Sequence, residues 1–283
     1  MCAPEWRAHS AADARIQSDA VGRLDPTDVR WRERELEAVF GLAHYPEHCA
    51  EPRLERELAN NPGTLRKLAE LLQKHADTPG PTLEIGCGPG RLLHELAAVG
   101  LASLIGLDLR IGLLRIARQL RDDALVHLPS RTLGALFEPI VLSAPAAPRD
   151  RSAQYELVQA NLYRPPFADG TFAAILACSV LDVVPDPDAA LVTMERLLAP
   201  GGLLLIAAPW QWQASSTAPE RWWSAPATVV EQYLTSRGHV VIERFDELTW
   251  AIPGHARLVH RYFLQGLLTR KPRSPARNPS SAA

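Results

Sequence analysis

The sequence predicts an α/β fold in which a mostly parallel sheet is covered by helices on both faces. Two observations carry this reading. From Pro81 onward, short apolar runs alternate with longer helical stretches, and strands buried on both faces need such crossover helices to return parallel to their neighbours. The chain then ends on two extended runs with almost no helix between them, which predicts an antiparallel edge on the same sheet.

Taken in order, residues 1–25 are polar and Ala-rich and predict a flexible N-terminus. Apolar residues recur three and four apart in 31–40 and again in 64–73, so residues 26–80 predict a helical cap that precedes the sheet and lies over its ligand-binding edge. Residues 81–270 form the α/β domain. Strands are predicted at 82–85, 103–107, 156–160, 172–177 and 203–207, and helices at 91–99, 111–121 and 188–198. Pro185-Asp186-Pro187 opens the last of these helices and Pro200-Gly201-Gly202 closes it. A helix at 228–237 stops at Gly238 and leads into the extended runs 239–245 and 258–267. Residues 271–283 place Pro272, Pro275 and Pro279 among Ser, Arg and Ala and predict a disordered tail. Residues 122–153 are surplus to the repeating unit and hold four prolines and the apolar run Ile140-Val141-Leu142. Such an insertion is either a lid or substrate wall, or a surface excursion or subunit contact.

Composition narrows the function. With 283 residues the chain is long enough for a full core, and its 30 basic and 32 acidic residues are mixed along it to a net charge of −2. No basic stripe offers a grip on a nucleic-acid backbone, so no nucleic-acid partner is expected. The four cysteines, Cys2, Cys49, Cys87 and Cys178, form no C-x-x-C pair, which argues against a disulfide framework and against a metal site. Residues 1–15 lack the apolar run of a signal peptide, and no stretch approaches the roughly 18 apolar residues of a membrane span. A cytoplasmic monomer or homodimer with no membrane partner is the expectation.

The chemistry-bearing signals begin at Leu83-Glu84-Ile85-Gly86-Cys87-Gly88-Pro89-Gly90. The glycines follow a strand and open a helix, where the backbone must turn sharply and pass close to a ligand. Glu84 precedes the turn on a strand suited to burial, so its carboxylate needs a cationic or hydrogen-bonding partner. Asp108 ends the second strand and is followed by Leu109. It is placed to accept both hydroxyls of a ribose, or simply to cap the next helix. A dinucleotide site would have Gly-x-Gly-x-x-Gly; here the third glycine comes one residue early, and a carboxylate before the turn suits a cofactor without phosphates.

Leu83–Gly90 resembles motif I of class I S-adenosylmethionine-dependent methyltransferases. Gln159-Ala160-Asn161-Leu162-Tyr163 and its continuation to Phe172 resemble their segment around the adenine, and Leu197-Leu198-Ala199-Pro200-Gly201-Gly202 their entry to the fifth strand. The resemblance covers residues 64–245. It implies a Rossmann-like, mostly parallel seven-stranded sheet with an antiparallel edge, and S-adenosyl-L-methionine as cofactor. The residues it implies for the cofactor are Glu84, Gly86, Cys87, Gly88, Gly90, Asp108 and Leu109, then Asn161 toward the adenine amino group, Leu162 framing the adenine and Cys178 facing the methionine moiety. Many members carry Asp at the position of Asn161, but an Asn carbonyl oxygen accepts the same hydrogen bond. For Leu162 and Cys178 plain core packing stands as the other reading.

Methyl transfer from a sulfonium is an in-line displacement whose leaving group needs no protonation, so alignment and exclusion of water are the main demands. Two loops at the carboxyl edge of the sheet bear on the acceptor. Ser179-Val180-Leu181-Asp182 brings a carboxylate near the methyl group, unless Asp182 is a turn cap. The loop after the fifth strand holds four of the seven tryptophans, Trp210, Trp212, Trp222 and Trp223, which either wall a flat or cationic acceptor or pin the loop to the core. Pro209-Trp210-Gln211-Trp212 followed by Pro219-Glu220-Arg221-Trp222 resembles a region of the methyltransferase domain that ends ovothiol-forming enzymes, which methylates an imidazole nitrogen of a thiohistidine. Ala43-His44-Tyr45, the Asp182 segment, and residues 248–257 with Arg270-Lys271 share that resemblance, whereas Ala208, Trp210 and Pro253-Gly254 depart from it.

By that resemblance the acceptor is a small molecule or peptide bearing an imidazole. Asp182 accepts one ring N–H, Tyr45, His44 and Trp212 position the ring, and Trp210, Trp212 and Trp222 wall the site. For His44 a purely structural histidine is the other reading. The alternatives for the whole chain are an O- or C-methyltransferase of an aromatic or carboxylate metabolite, and a catalytically silent scaffold with the same fold.

Overall fold

A computed structural model describes residues 29–48, 52–123, 125–133, 136–145 and 155–273. The expected flexible N-terminus at 1–25 lies outside the described residues, as do Cys2, Cys49 and residues 274–283 of the expected disordered tail at 271–283. Lys271, at the start of that tail, is instead held in place, its Nζ donating to the Glu195 and Leu198 carbonyls at 2.7 and 2.9 Å. In chain order the strands are β1 (Thr82–Ile85), β2 (Leu104–Asp108), β3 (Leu125–Leu133), β4 (Leu136–Ser143), β5 (Tyr155–Gln159), β6 (Phe172–Cys178), β7 (Leu198–Ala208), β8 (Val240–His255) and β9 (Leu258–Arg270). The α-helices are α1 (Val29–His44), α2 (Pro52–Leu58), α3 (Asn61–His75), α4 (Arg91–Ala98), α5 (Ile111–Asp123), α6 (Pro187–Leu197) and α7 (Pro226–Ser236). Among the described residues, no helix is long and apolar enough to cross a membrane.

Seven strands pair in the order β5-β2-β1-β6-β7-β9-β8. The first five are parallel, and β9 and β8 close the edge antiparallel. The two-residue period of the strands divides the core in two. Leu203, Leu205 and Ala207 of β7 face one side, with Leu65, Leu68 and Leu72 of α3 and Leu92, Leu93 and Leu96 of α4. Leu204 and Ile206 face the other, with Leu191 and Met194 of α6 and Val230 and Leu234 of α7. Helix α6 starts where its residues require: the side chain of Asp186 accepts from Ala189 N at 3.0 Å and Pro187 takes the first turn, where no N–H is needed.

Residues 122–153 are not the bare excursion the sequence allows. Strands β3 and β4 pair antiparallel as a hairpin. Val126 and Leu128 of one strand and Ile140 and Leu142 of the other bury one face against Ala38 and Leu42 of α1, Leu54 and Leu58 of α2, and Leu113, Ile116 and Leu120 of α5. This third cluster anchors the N-terminal helices to the domain. Residues 146–154 lie outside the described residues.

The final strands run longer than their sequence pattern. Only Gln265–Arg270 of β9 pair with β7, so the rest of β9 continues beyond Ala208, past the carboxyl edge of the sheet, still paired with β8. The N-terminal helices hold this ribbon. Asn61, 1% exposed in the first turn of α3, donates from Nδ2 to the carbonyls of Ala43 (2.8 Å) and Ala251 (2.7 Å) and accepts from Ala251 N (2.9 Å). Thr64 adds a hydrogen bond to the Thr249 carbonyl at 2.7 Å. Asn61→Ala would leave three buried backbone groups unpaired, each costing about 1–3 kcal/mol before relaxation. We expect a net destabilisation of about 2–4 kcal/mol, read as a lower urea midpoint at unchanged slope. An unmoved midpoint would show that the stitch contributes nothing.

Candidate active site

The carboxyl ends of the parallel strands meet at one edge, and the strand order reverses direction between β1 and β6, the place where open α/β sheets hold ligands. Gly86, Gly88 and Gly90 all have left-handed backbones, with φ of 71°, 52° and 83°. A side chain at Gly86 would begin 2.7 Å from Val180 Cγ2, so here strain and space both exclude one. The turn is braced by β2. Gly86 N and Cys87 N donate to the Leu107 carbonyl at 2.7 and 3.1 Å, and Gly88 N donates to Asp108 Oδ2 at 2.9 Å. Asp108 Oδ1 accepts Arg110 N at 2.8 Å, so the same carboxylate supports the turn and leads into α5. Cys87 can meet a cofactor only through its backbone. Its side chain is fully buried in the core, with Sγ 2.8 Å from where a Gly106 side chain would start, and only its backbone borders the turn.

Glu84 is 4% exposed, and its Oε2 is buried with no hydrogen-bond partner among the described residues. Burial, then the charge of Asp108, holds its carboxyl well above the usual range. A carboxylate left in that state calls for a cation. Next to Asp108, just past the end of β2, Leu109 is 65% exposed, an apolar surface for a flat group to cover. Asn161 is exposed and Leu162 buried, and Asn161 Oδ1 accepts Tyr163 N at 2.9 Å. Cys178 is half-buried against the core, its thiol pushed up to about 12 by burial. A buried unpaired carboxylate, a cradle of three glycines, a second acidic group and an exposed apolar edge fit the amino-acid end, ribose and adenine of S-adenosyl-L-methionine.

On the acceptor side, Asp182 sits in a short turn after β6 and is 1% exposed. Its Oδ2 accepts Gln211 N at 2.9 Å, tying the loop after β7 to the loop after β6, and its Oδ1 is buried without a partner among the described residues. Burial raises its carboxyl. Trp210 has φ of 53°, a strained backbone for a bulky residue, and its buried Nε1 has no partner among the described residues. Trp210, Trp212 and Trp223 form a cluster with ring centroids 5.8–6.4 Å apart. Trp222, which the sequence reading chose, is 40% exposed and donates Nε1 to the Thr217 carbonyl at 2.9 Å. Trp222 follows the short helical turn at Pro219–Arg221 with an extended backbone, in which successive side chains point to opposite sides, and Trp223 takes the place in the cluster.

The N-terminal helices supply a third side. Tyr45 does not face an acceptor. It is fully buried, its hydroxyl donates to the Pro89 carbonyl at 3.1 Å, and its ring lies 5.3 Å from the Arg91 guanidinium. It braces the glycine turn. His44 is half-buried, edge-on to Trp250 at 5.0 Å, with Nδ1 2.8 Å from the Phe40 carbonyl. Burial lowers its pKa to about 4, so it is neutral at neutral pH. Trp250 lies opposite Tyr262 across the projecting ribbon. Burial first, and then the charge of Asp182, raises the Tyr262 hydroxyl. Sequence reasoning named Trp223 among the loop tryptophans but chose Trp222 for the wall, and it did not single out Trp250 or Tyr262; the signal for the last two is the alternation Trp250, Ile252 and His260, Tyr262 along the two strands.

With this geometry in place, the comparisons are consistent. Residues 83–206 match the family described as methyltransferase domain. Over 143 residues the chain is 30% identical to a ubiquinone biosynthesis O-methyltransferase of Thiobacillus denitrificans, a match covering 49% of this chain and 50% of that protein. The chain thus spans about half the length of the curated relative it matches. A solved chain from work on the conversion of a disulfide bond into a thioacetal group during echinomycin biosynthesis shares the fold. Its TM-score is 0.50 at 14% identity, over 74% of this chain and 82% of that one. Residues 83–206 are a class I S-adenosylmethionine-dependent methyltransferase domain, and S-adenosyl-L-methionine is its cofactor.

Because Glu84 is raised in the free protein and an ammonium group would lower it again, binding of S-adenosylhomocysteine should release protons. Affinity should therefore rise with pH and level off above the free-state value. Calorimetry in buffers of different ionisation enthalpy measures this. Glu84→Gln should abolish the proton release and weaken binding about 10- to 100-fold, the worth of one charge-assisted hydrogen bond. Unchanged affinity would remove Glu84 from the site.

Proposed function

We propose that this chain methylates a nitrogen of an imidazole-bearing small molecule or peptide. The observation that carries the reading is Asp182, a buried carboxylate whose Oδ1 has no donor among the described residues and which lies beside the tryptophan cluster. The cofactor supplies a methyl group on a sulfonium and leaves as a neutral thioether. Asp182 Oδ1 accepts one ring N–H of the acceptor, which fixes the tautomer and leaves the lone pair of the other nitrogen free to attack. No strong base is required. As positive charge passes to the ring, the carboxylate of Asp182 neutralises it and the faces of Trp210, Trp212 and Trp223 stabilise it. The same rings exclude water.

A second reading draws on one observation. The raised carboxyl of Asp182 also suits a base that takes a proton from a phenol, and the relative from Thiobacillus denitrificans is an O-methyltransferase by name. The two readings differ in the atom that gains the methyl group. Incubation with S-adenosylmethionine and a panel of histidine, thiohistidine, histidine peptides and catechols, read by mass spectrometry and fragmentation, separates them. Methyl gain on an imidazole nitrogen is expected; gain on phenolic oxygen alone would replace the first reading with the second.

Asp182→Asn retains an oxygen for Gln211 N but turns the free acceptor into a donor. It should lower kcat about 10- to 100-fold, 1.4–2.7 kcal/mol in barrier, with S-adenosylhomocysteine affinity within about twofold. Full turnover would make Asp182 a loop anchor only. Trp223→Ala should raise the acceptor KM several-fold while Trp222→Ala leaves it unchanged. The reverse order would return the wall to Trp222.

A further inference from the structure

We infer that His44 is a cofactor-binding residue: its Nε2 accepts a hydrogen bond from the α-ammonium group of S-adenosylmethionine, sharing that group with Glu84. The argument begins with the tautomer. Nδ1 lies 2.8 Å from the Phe40 carbonyl, and a carbonyl only accepts, so Nδ1 carries the hydrogen and Nε2 of the neutral ring is a bare lone pair. Burial, with Arg91 nearby, keeps the ring neutral, so it does not repel an incoming ammonium group.

Position comes next. Nε2 and Cε1 of His44 are each 3.8 Å from where a side chain on Gly88 would begin. The polar edge of the ring therefore opens onto the middle glycine of the turn, and the absence of a side chain there leaves that edge accessible. The placement is rigid. The ring is held edge-on against Trp250, the His44 carbonyl accepts Arg91 Nη1 at 3.2 Å, and Tyr45, the next residue, is bonded to Pro89 inside the turn. Arg91 is itself paired with Glu95 at 2.8 Å and with Glu47 at 2.6 Å. Independently, Glu84 Oε2 is buried and has no donor among the described residues. An ammonium has three N–H donors and needs more than one acceptor when water is excluded. Glu84 and His44 supply two, one at the base of the glycine turn and one facing its middle glycine.

This assigns His44 to the cofactor and not to acceptor chemistry, and two probes distinguish the roles. S-adenosylhomocysteine carries the amino-acid end, whereas 5′-methylthioadenosine has the same adenosine and thioether without it. In calorimetric titrations of the full chain, His44→Ala should lose about tenfold in affinity for S-adenosylhomocysteine and stay within twofold for 5′-methylthioadenosine. His44→Gln, whose side-chain carbonyl is also a neutral acceptor, should recover part of the loss and serves as the second variant if the alanine form is poorly folded. Equal losses for both probes would make His44 a brace of the turn and overturn the inference. Unchanged binding of both probes with reduced turnover would also overturn it and move His44 to the acceptor. Wild-type binding of S-adenosylhomocysteine, measured alongside, checks the cofactor assignment separately.

Discussion

The glycine turn after β1 is held open from below by a strand that is not its own. Three of its amide groups are taken by the end of β2, two at the Leu107 carbonyl and one at the Asp108 carboxylate. Because those bonds use backbone donors and a neighbouring strand, the ligand-facing side of the turn needs no side chains, and all three glycines keep left-handed backbones there. The pairing of β1 with β2 thus does more than extend the sheet. It sets the depth of the turn, the position of Asp108 beside it, and the burial of Glu84 beneath it. A carboxylate buried without a cation opposes the stability of the free fold at neutral pH, a cost of the kind commonly found at ligand sites.

The N-terminal helices belong to the same construction. Arg91, 3% exposed at the start of α4, is paired with Glu95 on its own helix and with Glu47 from the cap, and bonds the main chain at His44. Tyr45 stacks on that guanidinium and reaches the turn itself. A buried arginine contributes little net stability, but its planar donors fix direction, and here they fix the register of the cap against the turn. The hairpin β3–β4 completes the support by closing an apolar cluster over α1 and α2.

Much of this was legible in the sequence, for identifiable reasons. The order of buried strands and crossover helices declares itself through local periodicity, and the turn through glycines that only one backbone geometry requires. Glu84, Asp108 and Asp182 stand out as candidates because acidic residues at strand ends are conspicuous against apolar runs. The hairpin escaped because Pro129 and Pro139, which face each other in the ladder, interrupt the alternation of Val126, Leu128, Ile140 and Leu142. Tyr45 was read as a site residue because position along the chain does not say which way a ring points. Asn61 carries no signal at all. Its partners Ala43 and Ala251 lie 18 and 190 residues away, and they exist only after the chain has folded.

The projecting ribbon has a mechanical consequence. Strands β8 and β9 run without a break from the sheet into the wall that bears Trp250 and Tyr262, so floor and wall share one ladder of hydrogen bonds. No flexible linker separates them, and the wall cannot swing as a lid does. The breaks in the ladder are register shifts, between Val241 and Glu243, between Phe245 and Leu248, and between Pro253 and His255, and bulges of this kind increase local twist. Any adjustment of this wall to a ligand is therefore a coiling of two strands about those points. Strand twist is a property spread along the backbone and not lodged in a single gate.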